Sequence, residues 1–441
     1  MKNSNPAAEL AKEQIELLIN NNQFDAANLL IAEFEADFTN DVDVMSMRAV
    51  MLIVAKRWDE AEMLLLEGLI LQADSFDLLY NLAYLHQAKG DYRAAWETYQ
   101  LALAKAPQEN IAAVENAMAL IAARYPAVLI PKRKLAFFVR QGMDSFLGDI
   151  IAGLSDAYET KKIIVTQLSQ INVGMEWADI CWFEWCDELI IYGSKLPLAA
   201  TKKLICRCHS FEAFTPAPTQ VNWQAVDALI FVAESIKNVV LNKVSIDPAR
   251  ISIIPSGIPS DMYTYRPRQA GYNLAYVGYI NYKKGPMLLL HTFKAIVDRD
   301  NRYKLYIAGT FQDERDVLYF NQMTQELKLE NNLIFQGWQN NLDEWLEDKN
   351  YILCTSILES QNLSVMQAMS KGIKPIIHNF VGAKAIYPTQ LIWNTIEEAV
   401  AMVTSADYHT QAYRDFIVNN YELSRQLLKL EALVDQLAAQ S

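Results

Sequence analysis

The stretch ESQNLSVMQAMSKG, from Glu359 to Gly372, places a carboxylate just before the start of a helix. The apolar run Tyr351–Cys354 precedes it and a second apolar run follows it, which predicts a strand, a loop, a helix and a strand in turn. The backbone N–H groups at Leu363 and Ser364 would open this helix, where unpaired amides and the helix dipole favour an anion. Glu359 could accept hydrogen bonds from neutral hydroxyls. The pattern predicts a ligand that carries both a sugar and a phosphate.

The same segment resembles the donor-binding segment of GT-B glycosyltransferases of family 4, in which a typical frame reads EGFGLPVLEAMACG. Glu359 stands at the first Glu of that frame, which contacts the donor sugar in the family. The second Glu, which contacts the ribose, is replaced by Gln367, a residue that can accept and donate hydrogen bonds but carries no charge. The resemblance implies a donor site that includes Glu359, Asn362, Leu363, Ser364 and Gln367.

A second loop follows the predicted strand NLAYVG and reads YINYKKG. It resembles the family segment VGRLVPEKG, with Lys284 in the place of the phosphate-binding lysine. The arginine of that frame is replaced by Tyr279, so one of the two usual diphosphate cations is absent unless Lys283 serves. Both lysines could instead be solvated loop residues. Because Gly285 starts a predicted helix here, and the carboxylate loop lies in register downstream, we interpret Lys284 as a diphosphate ligand.

Two strand ends in the first half of the chain carry further candidates. His209, in CRCHSFEAF, stands where family 4 enzymes carry a His near the donor sugar and the acceptor. Glu184, in WFEWCDE, is flanked by aromatic residues, and a carboxylate in such surroundings needs a partner or has a raised pKa. A core role for both residues stays open. We interpret His209, Glu184 and Glu359 as the catalytic residues.

Two glycines complete the predicted substrate-binding set. Gly142 lies in the turn VRQGMDSF (139–146), where many relatives have two glycines, and would border the donor phosphates. Gly257 follows the strand ISIIP and resembles the glycine of the NG pair that follows the last strand of the first domain in the family.

The N-terminal part of the chain contains an internal repeat. Large aromatic residues and small alanines recur at a spacing of 34 residues, which is typical of the paired helices of tetratricopeptide repeats (TPRs). We predict repeats over residues 1–109 and a capping or linker helix over 110–130. Such stacks usually bind a protein segment, but self-association as a homodimer is an equally open reading. The repeated positions are Phe24, Trp58 and Tyr92, and Ala27, Ala61 and Ala95.

From residue 131 onward apolar strands alternate with helical segments, which predicts parallel sheets covered on both faces. The predicted fold is therefore α/β plus α, with helical repeats followed by two Rossmann-like domains, the arrangement that GT-B enzymes have. We place the first domain at 131–268, with the C-terminal helix 423–441 returning to it, and the donor domain at 269–422. Ligands bind at the carboxyl ends of such strands, where the candidate residues lie.

Bulk properties exclude several classes of function. A net charge of −13 argues against a nucleic-acid-binding or anionic-membrane surface. No apolar run approaches the ~20 residues of a membrane span, and the N-terminus lacks an apolar signal core, so we expect a cytoplasmic protein. The spacing of the cysteines favours reduced, buried thiols over a metal site. They are Cys181, Cys186, Cys206, Cys208 and Cys354.

The resemblance implies a retaining hexosyltransferase that moves a hexose or N-acetylhexosamine from a nucleotide-sugar, UDP-linked, to a hydroxyl, without a cofactor or metal. Fusion to a TPR stack suggests a protein acceptor, such as flagellin or another bacterial surface protein, recruited by the repeats. Two alternatives stay open. One is a polysaccharide or lipid-linked glycan transferase whose repeats bind assembly proteins. The other, suggested by the departures at Tyr279 and Gln367, is a non-catalytic scaffold with a decayed transferase domain.

Overall fold

The computed structural model describes residues 6–145 and 147–440. Three parts of the predictions lie outside these ranges: the first five residues of the repeat region, the last residue of the turn 139–146, and the last residue of the helix 423–441. The chain divides into two compact units, residues 1–132 and 133–441. Each unit has its own hydrophobic core.

The first unit is helical. The aromatic residues of the 34-residue repeat, Phe24, Trp58 and Tyr92, are each the first residue of the second helix of a pair, and the three repeated alanines are fully buried. The repeat therefore corresponds to helix pairs; that these pairs are TPRs stays a prediction. Within the described residues the helices are α1 (Pro6–Asn20), α2 (Phe24–Asp37), α3 (Val42–Val54), α4 (Trp58–Leu71), α5 (Phe76–Lys89), α6 (Tyr92–Leu103) and α7 (Ile111–Arg124).

Local sequence signals set several of these helix ends. Asp41 caps α3 by accepting from two backbone amides, and Ser75 and Asp91 cap α5 and α6 by accepting from one amide each. Gly90 ends α5 at a φ of 87°, a left-handed conformation that costs glycine little. Polar caps and one glycine thus fix where the paired helices begin and end.

The second unit begins with a six-stranded sheet in which every pair of strands is parallel. The strand order is β2-β1-β3-β4-β5-β6. The strands are β1 (Lys134–Arg140), β2 (Glu159–Val165), β3 (Ile180–Glu184), β4 (Lys203–Cys208), β5 (Ala228–Phe231) and β6 (Ile251–Ile253). The helices along this part are α8 (Gly148–Leu154), α9 (Ser169–Trp177), α10 (Glu188–Gly193), α11 (Ser210–Ala213) and α12 (Glu234–Leu241).

A second parallel sheet follows, with strand order β12-β11-β10-β7-β8-β9, so the predicted architecture of two Rossmann-like domains is confirmed. Its strands are β7 (Asn273–Val277), β8 (Lys304–Ala308), β9 (Leu333–Gly337), β10 (Tyr351–Cys354), β11 (Lys374–His378) and β12 (Ile392–Trp393). The helices along it are α13 (Pro286–Arg299), α14 (Glu314–Glu326), α15 (Leu342–Trp345), α16 (Leu363–Ser370), α17 (Ala383–Ile386), α18 (Ile396–Thr404) and α19 (Thr410–Tyr421).

The last helix, α20 (Leu423–Ala438), packs on the first sheet. Its residues Leu430 and Val434 are fully buried in the same apolar cluster as Phe137 of β1 and Trp182 of β3. The exact domain boundaries proposed from the sequence stay a prediction. Across the described residues, none of the helices combines the length and the apolar character that crossing a bilayer requires.

The chain passes between the two sheets at two adjacent places, near Gly257 and near Leu423. Ile258 exchanges backbone hydrogen bonds with Tyr421 (2.8 Å) and Leu423 (3.0 Å), so the two crossings run side by side. A Cβ atom on Gly257 would lie 2.5 Å from the Cα of Leu423, which is closer than real Cβ contacts allow. Glycine at 257 therefore lets the two crossings pack closely.

We predict that Gly257→Ala destabilises the protein by about 1–3 kcal/mol, because the added methyl group meets backbone that cannot move aside easily. The matched control is Gly148→Ala, where a Cβ would meet nothing within 4 Å. Thermal unfolding of the three proteins checks this. Equal melting temperatures for Gly257→Ala and Gly148→Ala would contradict it.

Candidate functional site

Two loops at the carboxyl end of the second sheet bring predicted site residues into contact. Lys284 Nζ lies 2.6 Å from Glu359 Oε1, and Ser356 Oγ donates to the same oxygen at 2.9 Å. Glu359 is buried, so its charge depends on these partners. The sequence assigned the lysine to a phosphate and the carboxylate to a sugar. The structure joins the two residues as an ion pair.

Backbone contacts hold these loops together. Thr355 Oγ1 donates to the carbonyl of Lys284 at 3.0 Å, and the amide of Ile357 donates to the carbonyl of Lys283 at 2.8 Å. Gly285 has a φ of 64°, and a Cβ there would collide with the carbonyl oxygen of Thr355. The lysine loop can approach the exit of β10 only because position 285 is glycine.

The turn before α16 leaves the start of this helix open. Asn362 has a φ of 64° and makes no side-chain cap to the helix; its amide group instead donates to Cys354 Sγ (3.2 Å) and Ser356 Oγ (3.4 Å). The first amides of α16, at Leu363 and Ser364, are therefore not covered by an N-cap side chain. An eight-residue helix with this start favours an anion at its N-terminus.

The other predicted binding residues lie in different settings. Gln367 is half-buried on α16 and lies close to Tyr263, in the segment between the two sheets. Gly142, with a φ of 76°, lies in an open turn after β1. The amide of Gly257 donates to Gln426 Oε1 at 2.7 Å, so it is already engaged within the fold. The roles of these three residues in binding stay predictions.

Tyr279, which replaces the arginine of the family frame, is an aromatic surface residue here. Its ring is about half exposed and lies 4.9 Å from the ring of Trp338, which follows β9. The residue supplies a flat face rather than a positive charge at the carboxyl end of β7.

On the first sheet the structure joins His209 to Glu184. His209 Nε2 lies 2.7 Å from Glu184 Oε1, and the other carboxylate oxygen accepts from Trp182 Nε1 at 2.9 Å. Arg207 Nη1 donates to Glu184 Oε1 at 3.1 Å. Sequence reasoning placed His209 and Glu184 at strand ends but missed Arg207. The available signal was a charged residue inside the otherwise apolar strand LICRC.

The charge state of Glu184 follows from these contacts. Its burial acts to raise the pKa of the carboxyl group, but the positive charge of Arg207 and the hydrogen bonds from His209 and Trp182 outweigh burial and lower that pKa. Glu184 is therefore ionised at neutral pH. It can orient His209 and balance a positive charge, but it holds no proton to donate.

Trp185, directly after Glu184, adopts a φ of 80°. This left-handed conformation is rare for a bulky residue and is found where the surroundings impose it. The indole Nε1 donates to the carbonyl of Met143 at 2.9 Å, and the ring centre lies 4.3 Å from that of His209. The strained turn thus places an aromatic face against the imidazole.

The cysteines form no disulfide within the described chain. All five are free and buried. Over the residues that the structure describes, no group of three or more His, Cys, Asp or Glu side chains could hold a metal ion.

Comparison with known proteins gives a family match for part of the second unit. Residues 266–387 match the family model of the glycosyl transferases group 1. This region is a glycosyltransferase domain. It contains Lys284, Glu359 and the start of α16.

Among curated proteins, an Escherichia coli UDP-Gal:alpha-D-GlcNAc-diphosphoundecaprenol alpha-1,3-galactosyltransferase is 21% identical over 234 residues, which cover 46% of this chain. The match spans only 59% of that relative. Among solved structures, a glycosyltransferase from Rickettsia africae ESF-5 superposes with a TM-score of 0.59 at 14% identity, covering 71% of this chain and all of the other. The Anabaena protein HepE, in complex with UDP and glucose, superposes with a TM-score of 0.59 at 12% identity, covering 69% of this chain and all of the other. The fold is GT-B.

A buried carboxylate beside the first-sheet site gives a pH-dependent prediction. Asp187 accepts from the amide of Leu189 at 2.9 Å and lies 3.0 Å from Arg140 Nε, and burial raises its pKa to about 7. The pKa of an unfolded Asp is about 3.9. Between pH values of about 4 and about 7, Asp187 therefore holds a proton in the folded state that it releases in the unfolded state. The contribution of Asp187 to the free energy of unfolding should therefore fall as pH rises from about 4 to about 7.

The variant Asp187→Asn should lose this trend. We expect its stability relative to the wild type to increase between pH 4.5 and 7.5, as measured by urea unfolding at several pH values. The matched control is Glu188→Gln, which removes the neighbouring exposed carboxylate that pairs with the same arginine. A stability difference between Asp187→Asn and wild type that stays constant with pH would show that Asp187 binds no extra proton on folding.

Proposed function

We propose that this protein is a retaining GT-B glycosyltransferase of the family 4 type that transfers a hexose or N-acetylhexosamine from a UDP-linked donor to a hydroxyl group. The observation that carries the proposal is the Lys284–Glu359 pair beside the open start of α16. A cation, a helix N-terminus and a carboxylate in one place match the diphosphate and the hydroxyls of a nucleotide-sugar. The similar E. coli protein is named for a UDP-Gal donor, and the similar HepE structure is a complex with UDP and glucose.

In this proposal donor binding exchanges ion-pair partners. Lys284 leaves Glu359 for the diphosphate, and the amides at Leu363 and Ser364 face the same group. Glu359 then accepts hydrogen bonds from the sugar hydroxyls. When the bond to the sugar breaks, negative charge grows on the departing diphosphate, and the lysine and the helix start stabilise that charge. No cofactor or metal ion takes part.

On the acceptor side His209 lies against the sugar or the incoming hydroxyl. Because Glu184 is ionised and bonded to the imidazole, it holds the ring in one orientation rather than donating a proton. The leaving phosphate takes the proton of the acceptor hydroxyl, without a stable covalent intermediate. Gly142, Gly257 and Gln367 are assigned to the surroundings of the donor.

The donor site is tested with UDP and calorimetry. We predict that Lys284→Ala weakens UDP binding by about 1.5–3 kcal/mol, more than tenfold, because it removes a charge-assisted contact to phosphate. Lys283→Ala is the matched control and should bind UDP as the wild type does. Glu359→Ala should bind UDP within a few-fold of the wild type, since UDP lacks the transferred sugar that this carboxylate would contact, yet lose donor turnover. Undiminished UDP binding by Lys284→Ala would show that the site is misplaced, and loss in Lys283→Ala alone would make Lys283 the ligand.

We further propose that the acceptor is a protein, such as flagellin or another bacterial surface protein modified in the cytoplasm, and that the helix pairs of the first unit act as TPRs that recruit it. The motivation is surface area, since a sugar-sized cleft offers too few contacts to select one protein among many. A repeat stack offers a long face for such contacts. The name of the E. coli relative supports a lipid-linked glycan acceptor as the alternative.

Deleting residues 1–132, the first compact unit, separates these possibilities. The remaining chain should keep the slow donor hydrolysis of the wild type, at the same rate. Transfer to an intact protein acceptor should fall sharply, and transfer to a short peptide should fall much less. Mass spectrometry of modified surface proteins measures the transfer. If the shortened enzyme modifies the intact protein normally, the helices do not recognise it. If deletion turns a dimer into an active monomer, self-association is their role.

A further inference from the structure

The donor loop is joined to the first sheet by a side chain that no sequence motif pointed to. Gln361, two residues after Glu359, is buried, and its side-chain amide forms two hydrogen bonds with the backbone of Ser256, a pair of contacts called here the clasp. Its Oε1 accepts from the amide of Ser256 at 2.6 Å, and its Nε2 donates to the carbonyl of Ser256 at 3.1 Å. Ser256 follows β6 in the first sheet, so this clasp bridges the two Rossmann-like domains.

The chain of contacts continues from Ser256 to the imidazole. Arg207 Nη2 donates to Ser256 Oγ at 2.8 Å, while Nη1 of the same guanidinium donates to Glu184 Oε1. Glu184 in turn holds His209. Arg207 is 1% exposed and Glu184 is fully buried, so water cannot replace a partner that moves. A planar guanidinium also fixes the directions of both of its bonds.

The end of this series of contacts at the donor loop is equally constrained. Tyr387 Oη donates to the carbonyl of Gln361 at 2.5 Å and lies 3.3 Å from the carbonyl of Asn362. Asn362 is the residue from which α16 starts. A displacement of the loop between Glu359 and α16 must therefore move Gln361, and through it Ser256.

We propose that Gln361 and Arg207 are positioning residues that couple occupancy of the donor site to the geometry of His209. Neither touches a reacting group; they act through Ser256 and Glu184. The proposal rests on the proposed function, because binding of a diphosphate breaks the Lys284–Glu359 pair and so shifts the loop that Gln361 holds. Coupling of this kind is reciprocal, so both ends of the network should respond to a ligand bound at one end.

Two of the five histidines of the chain report on the two ends. His378, at the end of β11, hydrogen-bonds through Nδ1 to the carbonyl of Ser356 at 2.8 Å and so reports on the donor loop. His209 reports on the first sheet. We would titrate full-length protein, labelled with ¹⁵N in histidine, with UDP and follow both imidazoles by NMR.

In the wild type we expect UDP to shift both imidazole signals. In Gln361→Met, which keeps the volume but removes both amide contacts, only His378 should shift. Ser256→Ala removes the hydroxyl that contacts Arg207 but keeps the backbone contacts with Gln361. It should give the same result and serves as the test if Gln361→Met folds poorly. The matched control is Gln426→Met: Gln426 holds the adjacent amide of Gly257, but from α20 rather than the donor loop, so both signals should still shift.

Kinetics give a second readout. We expect Gln361→Met to lower kcat for donor hydrolysis about tenfold and to change the donor KM less than threefold, with no such loss in Gln426→Met. A His209 signal that still shifts in Gln361→Met, or that stays fixed in the wild type while His378 moves, would overturn the coupling but not the donor site. If UDP leaves His378 unmoved in every protein, the donor site itself is overturned and the coupling with it.

Discussion

A carboxylate with no access to water governs the arrangement of the first-sheet site. An isolated charge in that position would cost several kcal/mol, so Glu184 can exist as observed only with partners on both oxygens. Trp182, Arg207 and His209 supply them, and the guanidinium reaches on to Ser256. The need to neutralise one buried charge thereby fixes the imidazole and extends an ordered polar network to the edge of the other domain.

Parallel sheets explain why polar side chains of the site gather at one edge. Strands such as β1, β3 and β10 are covered on both faces, so most of their interior positions must be apolar. The loops that leave the strands are where charged groups can find both partners and a ligand. Glycine at 285 and the left-handed turn at Asn362 then let two of these loops close on each other, which brings Lys284 to Glu359.

Much of this fold could be predicted from the sequence, because buried strands and paired helices leave clear periodic patterns. The edge strand β2 leaves a weaker pattern in the sequence, since its first residues, Glu159 to Lys162, are largely exposed and polar. The residues placed at strand ends, Glu184 and His209, do lie there, at the end of β3 and directly after β4. The contact between Gln361 and Ser256 could not be predicted, because 105 residues separate them and the family resemblance gives neither side chain a role. It depends on how the two domains pack.

The Lys284–Glu359 pair also affects which anions can bind at Lys284. An unpaired cation at a helix start would also bind inorganic phosphate. Here the lysine is already neutralised, so a free phosphate could capture it only by leaving a buried carboxylate without its counter-charge. A ligand that offers an anion to the lysine and hydroxyls to the carboxylate satisfies both at once. In the proposed function the resting ion pair acts as a filter against inorganic phosphate and similar small anions.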